Sequence, residues 1–458
     1  MANRPGRALI AATLCSFVLC LPRANAADAP IQNGERLTLG RAIELALRDN
    51  PSRLAIASDT AAAGEVVGQA RAMMMPQVLG GSEYLRSTHN GVGDTSYLSL
   101  PGFPRIASSN EYKTGPSSQT DDNYLAGASA FQYLLDFGRA RGYVEQRRAE
   151  AASERDRLAF TDLDLIYETT QRYFAMLAAE QIVKVYEKAV EQRQEHLHES
   201  DLKAQAGLVP QIDVSTAQAE LARASVHLLD SQNDVAKAKV ALDNVMGLGP
   251  DAPDYGLAEV LAYHNATGSI PEYFKTALGL RPDFKMLAEQ VRAAGAIITE
   301  YRSDYLPTVV GTADYSARGQ GLPAANNFDV GIVVTWPIFN GFLTEHQVAE
   351  AKLRQAAIRH SIDDLQQRIY LEVKDAFLDW DTSVHRIHRA ESALAASRAE
   401  LELADKRYSA GLGNIVELTE AERQYTEDDA TYVQALYAFS VSKAALDQAT
   451  GQSLAGRY

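Results

Sequence analysis

The side chains in this sequence best suited to chemistry are two histidine pairs and a methionine run. His196 and His198 stand two residues apart, which sends them to different faces of a helix, whereas His385 and His388 stand three apart and fall on one side. Met73-Met74-Met75 offers three thioethers, soft donors suited to copper(I) or silver(I). No cysteine supports any of them, because Cys15 and Cys20 both lie in an apolar leader. The histidines therefore read as solvated helix surface and the methionines as interfacial packing. There is no glycine-rich phosphate loop, nucleophile elbow or metalloprotease helix. The expectation is a protein that is not an enzyme and holds no cofactor or metal.

Arg4 and Arg7 precede an apolar run from Ala8 to Leu21, and Ala24-Asn25-Ala26 supplies a small-x-small cleavage pattern. Residues 1–26 read as a signal peptide, so the mature chain is exported and has neither disulfides nor thiolate chemistry. Leu14 and Leu19, each just before a cysteine, argue against lipidation there. The whole chain has 44 basic and 59 acidic residues, a net charge of −15, which argues against a nucleic-acid partner. No later segment has the roughly 18 consecutive apolar residues of a spanning helix. An exported chain of this kind is either soluble in the periplasm or a β-barrel.

The chain is two copies of one unit. At a constant offset, Pro51 meets Pro282, Gly64 meets Gly295, Arg71 meets Arg302, Gly80 meets Gly311 and Tyr84 meets Tyr315. From Asn123 and Asn327 onward a shorter offset holds: Gly127 meets Gly331, Tyr173 meets Phe377, Ala206-Gly207-Leu208 meets Ala410-Gly411-Leu412, and Gly247 meets Gly451. The difference is an insertion in the first copy, within residues 87–122, whose Gly, Ser, Thr, Asn and Pro content marks a surface loop. The division that follows is 27–250 for the first repeat, 251–270 for a linker and 271–458 for the second.

Each copy should open with two helices, near 39–49 and 52–73, then 272–280 and 283–303. Two strands follow, near 76–86 and 123–135, then 307–317 and 327–339. Phe328, Val330, Ile332, Val334 and Trp336 alternate onto one face, a pattern that fits a membrane barrel and an ordinary half-buried hairpin equally. Beyond the strands no proline occurs from Arg139 to Val209 or from Ile338 to the end. Leu163, Ile166, Tyr173 and Leu177, and Ile362, Leu365, Ile369, Val373 and Trp380, recur at helical spacing. Such long helices need lateral partners, as in coiled coils. Gly207 and Gly411 mark the tips of two helical hairpins.

These tips carry a family resemblance. Gly207-Leu208-Val209-Pro210-Gln211-Ile212-Asp213-Val214, and Tyr408-Ser409-Ala410-Gly411-Leu412 continuing through Glu417-Leu418, resemble the tip motif of TolC-like outer-membrane efflux and secretion channels. Trp336-Pro337-Ile338-Phe339-Asn340-Gly341 is similar to that family's strand-to-helix junction, and the two-fold organisation agrees over nearly the whole mature chain. The resemblance implies a mainly α fold with a small β part. Long helical hairpins would form a tunnel through the periplasm, and four strands would contribute to a trimeric transmembrane β-barrel in outer-membrane lipid. It implies a passive exit duct of a tripartite efflux or type I secretion system, with a periplasmic adaptor and an inner-membrane pump or ABC exporter as partners. The adaptor-contact tips would be Gly207, Leu208, Gly411 and Leu412. The gate would consist of Asp213, Tyr408 closing against it, and acidic rings from Glu417 and Glu420. Gly413 stands where some members carry a constricting arginine. The competing expectation, a soluble periplasmic coiled-coil structural or chaperone-like protein, leaves the duplicated strands unexplained.

Overall fold

The computed structural model describes residues 31–88, 120–261, 263, 268–319 and 325–452. The leader and most of the insertion at 87–122 lie outside the described residues. The duplication preserves every helix length. Helices α1 (Leu39–Asp49) and α5 (Ile270–Leu280) both have 11 residues, and α2 (Pro51–Ala72) and α6 (Pro282–Ser303) both have 22. Helices α3 (Arg139–Gln205) and α7 (Leu343–Ser409) both have 67, and α4 (Gln211–Val245) and α8 (Ile415–Ala449) both have 35. At 1.5 Å per residue the two longest run for about 100 Å.

Pro51 and Pro282 open α2 and α6, where a missing N–H costs nothing. Each α1-type helix is pinned to the far end of its own repeat. Asn50 Nδ2 donates to the carbonyl of Val245 at 2.9 Å, and at the equivalent place Arg281 Nη1 donates to that of Ala449 at 3.2 Å. Sequence reading missed a short parallel pair, β1 (Glu35–Leu37) with β4 (Tyr255–Leu257), which ties the start of the first repeat to the 251–270 segment. Tyr173, fully buried, donates to the carbonyl of Leu37 at 2.8 Å beneath this pair, and Leu37, Leu39, Ile43, Leu242, Met246 and Leu446 build the core around it.

The remaining strands, β2 (Gln77–Thr88), β3 (Thr120–Leu135), β5 (Thr308–Gly319) and β6 (Ala325–Thr335), form one antiparallel sheet in the order β2-β3-β5-β6. In register, Val78, Ala130, Ala313 and Val330 share one face, with Tyr84, Ala128, Tyr315 and Phe328 along the same side. Phe328, Val330, Ile332 and Val334 are 62–78% exposed. The opposite face carries Ser129, Thr312, Asp314 and Asp329, and Ser129 donates to Asp314 at 2.6 Å. The sheet thus exposes one apolar face, while the other mixes these polar residues with Leu79, Phe131, Val310 and Val333, and among the described residues β2 and β6 are open edges.

Sheet and helices join through two consecutive left-handed residues. These are Phe137-Gly138 in the first copy and Gly341-Phe342 in the second, so the conformation repeats while the residue order is reversed. Along the helices, α3 packs on α4, α2, α6 and α8, and α7 packs on α8, α6 and α5. The lateral order is α4-α3-α8-α7 toward the tips and α2-α3-α6-α7 toward the sheet. The flanks bear exposed apolar side chains, Val226 and Leu229 on α4 and Leu371, Leu378 and Leu403 on α7.

Gly247 ends α4 at φ +73°, and a Cβ there would lie 2.4 Å from the carbonyl oxygen of Asp49. Gly247→Ala should therefore cost about 2–4 kcal/mol, combining left-handed strain with a backbone clash. Gly207 has φ +70° with open space around it, so Gly207→Ala should cost only about 1 kcal/mol. Thermal melting of the helical circular dichroism signal checks both, and equal midpoints for the two variants would contradict the packing assigned to Gly247.

Candidate functional site

The two tips turn alike. The N–H of Leu208 bonds to the carbonyl of Lys203 at 2.9 Å, and that of Leu412 to the carbonyl of Arg407 at 2.8 Å, each across a left-handed glycine, Gly207 or Gly411. The turn projects the following residues outward. Leu208 and Leu412 are both 75% exposed, and Ile212 and Val416, one turn on, are also exposed. Each hairpin therefore ends in a small apolar cap.

Tyr408 is buried at the end of α7 and does not meet Asp213 within the chain. Its hydroxyl lies 3.1 Å from Ser200 Oγ on α3, and Lys203 Nζ sits 4.4 Å from its ring centroid. The ring is held by the long helix of the other hairpin, whereas Asp213 belongs to the first turn of α4, on the far side of α3. Asp213 is half-buried, and among the described residues its carboxylate has no partner.

The acidic positions of the second tip are compensated in the chain. Glu417 pairs with Arg407 at 2.9 Å across the turn, and the Asn414 side chain caps its N–H at 2.8 Å. Glu420 accepts from Arg423 Nε at 3.1 Å, and Arg423 also reaches Glu427 at 2.5 Å. The hydrogen bond from Arg423 holds the Glu420 carboxyl below the usual range. Within the chain, both expected acidic positions are thus ion-paired. The repeat explains why Asp213 differs. It is equivalent to Glu417, and Lys203 is equivalent to Arg407, but Lys203 is engaged by Glu199 at 2.8 Å and by the Tyr408 ring.

Sequence reasoning missed the clasp between the hairpins. His196 pairs with the buried Glu422 at 2.9 Å, and Glu422 is 3% exposed. The legible signal was the spacing of His196, Ser200 and Lys203, which places all three on one stripe of α3. The other histidines behave as expected of helix surface: His198 and His385 are exposed, and His388 packs edge-on to Tyr263 at 5.6 Å. Met73, Met74 and Met75 are exposed at the α2–β2 junction. Among the described residues, no group of three or more His, Cys, Asp or Glu is placed to hold a metal.

The family model described as outer membrane efflux protein matches residues 42–248 and 274–452. The outer membrane efflux protein BepC of Brucella suis is 22% identical over 358 residues, covering 77% of this chain and 78% of its own. The outer membrane protein TolC of Salmonella enteritidis is 23% identical over 420 residues, covering 88% and 79%. The crystal structure of the CmeC outer membrane channel of Campylobacter jejuni superposes with a TM-score of 0.75 at 18% identity, covering 94% of this chain and 93% of that one.

Proposed function

This chain belongs to the outer membrane efflux protein family, and on that premise we propose that it is the passive exit duct of a tripartite efflux or type I secretion system. Membership makes it an outer-membrane channel with a periplasmic helical tunnel rather than an enzyme or a soluble coiled-coil protein. The finer reading rests on one observation above all. The sheet has four strands, two open edges and an exposed apolar face. Four strands cannot close a membrane barrel, since the smallest have eight. Three copies pairing β6 with the next copy's β2 close twelve strands around a polar interior, with the apolar face in outer-membrane lipid. The exposed flanks of α4 and α7 support the same arrangement, because a ring of copies brings them together.

The apolar caps at Leu208, Ile212, Leu412 and Val416 suit docking by a periplasmic adaptor, with an inner-membrane pump or ABC exporter beyond it. Asp213, Tyr408, Glu417 and Glu420 then control the entrance, and Tyr408 holds it shut through Ser200. Detergent-purified protein should scatter light as a trimer, and planar bilayers should record a small resting conductance. Tyr408→Phe removes one buried hydrogen bond per chain, about 0.5–1.5 kcal/mol each, and should raise that conductance several-fold. A conducting monomer would overturn the shared barrel, and an unchanged Tyr408→Phe channel would remove Tyr408 from the gate.

A further inference from the structure

Near the tips the hairpins are joined by side chains that the duct reading leaves unassigned. His196 Nε2 on α3 lies 2.9 Å from Glu422 Oε1 on α8, an ion pair when the ring is protonated, with side-chain exposures of 18% and 3%. A carboxylate this deeply buried is costly unless a cation compensates it. The groups facing the imidazole are otherwise mostly acidic. Glu199 of α3 lies 3.8 Å from Nδ1, and Asp405 of α7 acts on the ring through space. Lys203, the nearby cation, is drawn to Glu199 and the Tyr408 ring. The hydrogen bond to Glu422 raises the His196 pKa above its usual value and outweighs the opposing effect of burial. His196, Ser200 and Lys203 form one stripe of α3 that touches α8 through Glu422 and α7 through Tyr408. The second hairpin cannot swing away from the first without breaking this stripe.

We propose that the His196–Glu422 pair is a pH-dependent clasp that holds the second hairpin against the first while His196 is protonated and releases it when the proton leaves. The proposal rests on reading the tips as the gate. The folded-state pKa of His196 lies above its unfolded reference of about 6.5, so the clasp is fully engaged below that reference. It is lost as pH rises through the folded value. Deprotonation leaves the buried Glu422 carboxylate against a neutral ring, which favours separation of α3 from α8.

The test is conductance of the assembled protein in planar bilayers between about pH 6 and about pH 9, the range in which a raised histidine titrates. Wild-type resting conductance should rise at least about threefold across it. His196→Gln and Glu422→Gln should each flatten that dependence while still assembling by light scattering. His196→Lys, which keeps a cation throughout, should stay near the low acid-side conductance. A flat wild-type profile, or a His196→Gln profile that titrates like wild type, overturns the clasp and leaves the duct standing. A wild-type protein that conducts at no pH sinks the duct and the clasp together.

Discussion

Ile332→Arg will prevent stable assembly in the outer membrane, whereas Thr312→Arg will not. Ile332 lies three residues before the end of β6, 68% exposed on the apolar face opposite Gly311, and Thr312 is in register with the adjacent Gly331 on the opposite face. The two substitutions therefore place the same charge at similar depth on opposite sides of one sheet. An arginine facing lipid costs up to about 2–4 kcal/mol per chain, and the proposed ring of three copies would incur it three times. That total is comparable with the whole stability of a typical domain, about 5–15 kcal/mol. An arginine facing an aqueous interior carries no such penalty. The yield of trimer extracted from outer membranes measures both. Equal yields would show that lipid does not cover this face. Loss of trimer for Thr312→Arg alone would mean that the two faces are assigned the wrong way round.

The sequence carried the repeat, the helix lengths and the hairpin tips because these depend on local signals. Proline at helix starts, glycine at left-handed ends and a constant register between copies survive without knowledge of tertiary contacts. Alternation in β6 was visible for the same reason, but its meaning was not. A period of two reports that one face differs from the other, and only the exposure of Phe328, Val330, Ile332 and Val334 reveals that, among the described residues, little packs on the apolar face. The β1–β4 pair was invisible because three-residue strands joined across more than two hundred residues leave almost no pattern. The contacts the tips make within the chain were hidden for a related reason. Resemblance pairs Tyr408 with Asp213, whereas in the chain its hydroxyl meets Ser200 and its ring meets Lys203, contacts that depend on how α7 lies on α3. Arg407 and Arg423 were legible as charges, but not as partners that neutralise Glu417 and Glu420.

That neutralisation sets the expected ion selectivity of the entrance. If Glu417 and Glu420 were free carboxylates on a threefold ring, the mouth would carry roughly six uncompensated charges and strongly concentrate cations. With Arg407 on Glu417 and Arg423 on Glu420, most of that field is cancelled, leaving Asp213 and Glu427 to bias the mouth modestly toward cations. Glu417→Ala with Glu420→Ala frees Arg407 to offset Asp213 and leaves Arg423 with Glu427 alone, so the local field falls to about zero. The reversal potential in a salt gradient should move from modest cation preference toward no preference, and divalent block should vanish. Arg407→Ala should do the opposite, freeing Glu417 and strengthening both cation preference and divalent block. Neither change should much affect assembly, because the Arg407–Glu417 pair is 47% and 42% exposed and such pairs contribute only about 0–1 kcal/mol. Shifts in opposite directions from the two variants would place these ion pairs on the conducting path. If both reversal potentials stay at the wild-type value, the pairs are solvated helix ends and the selectivity of the duct is set elsewhere.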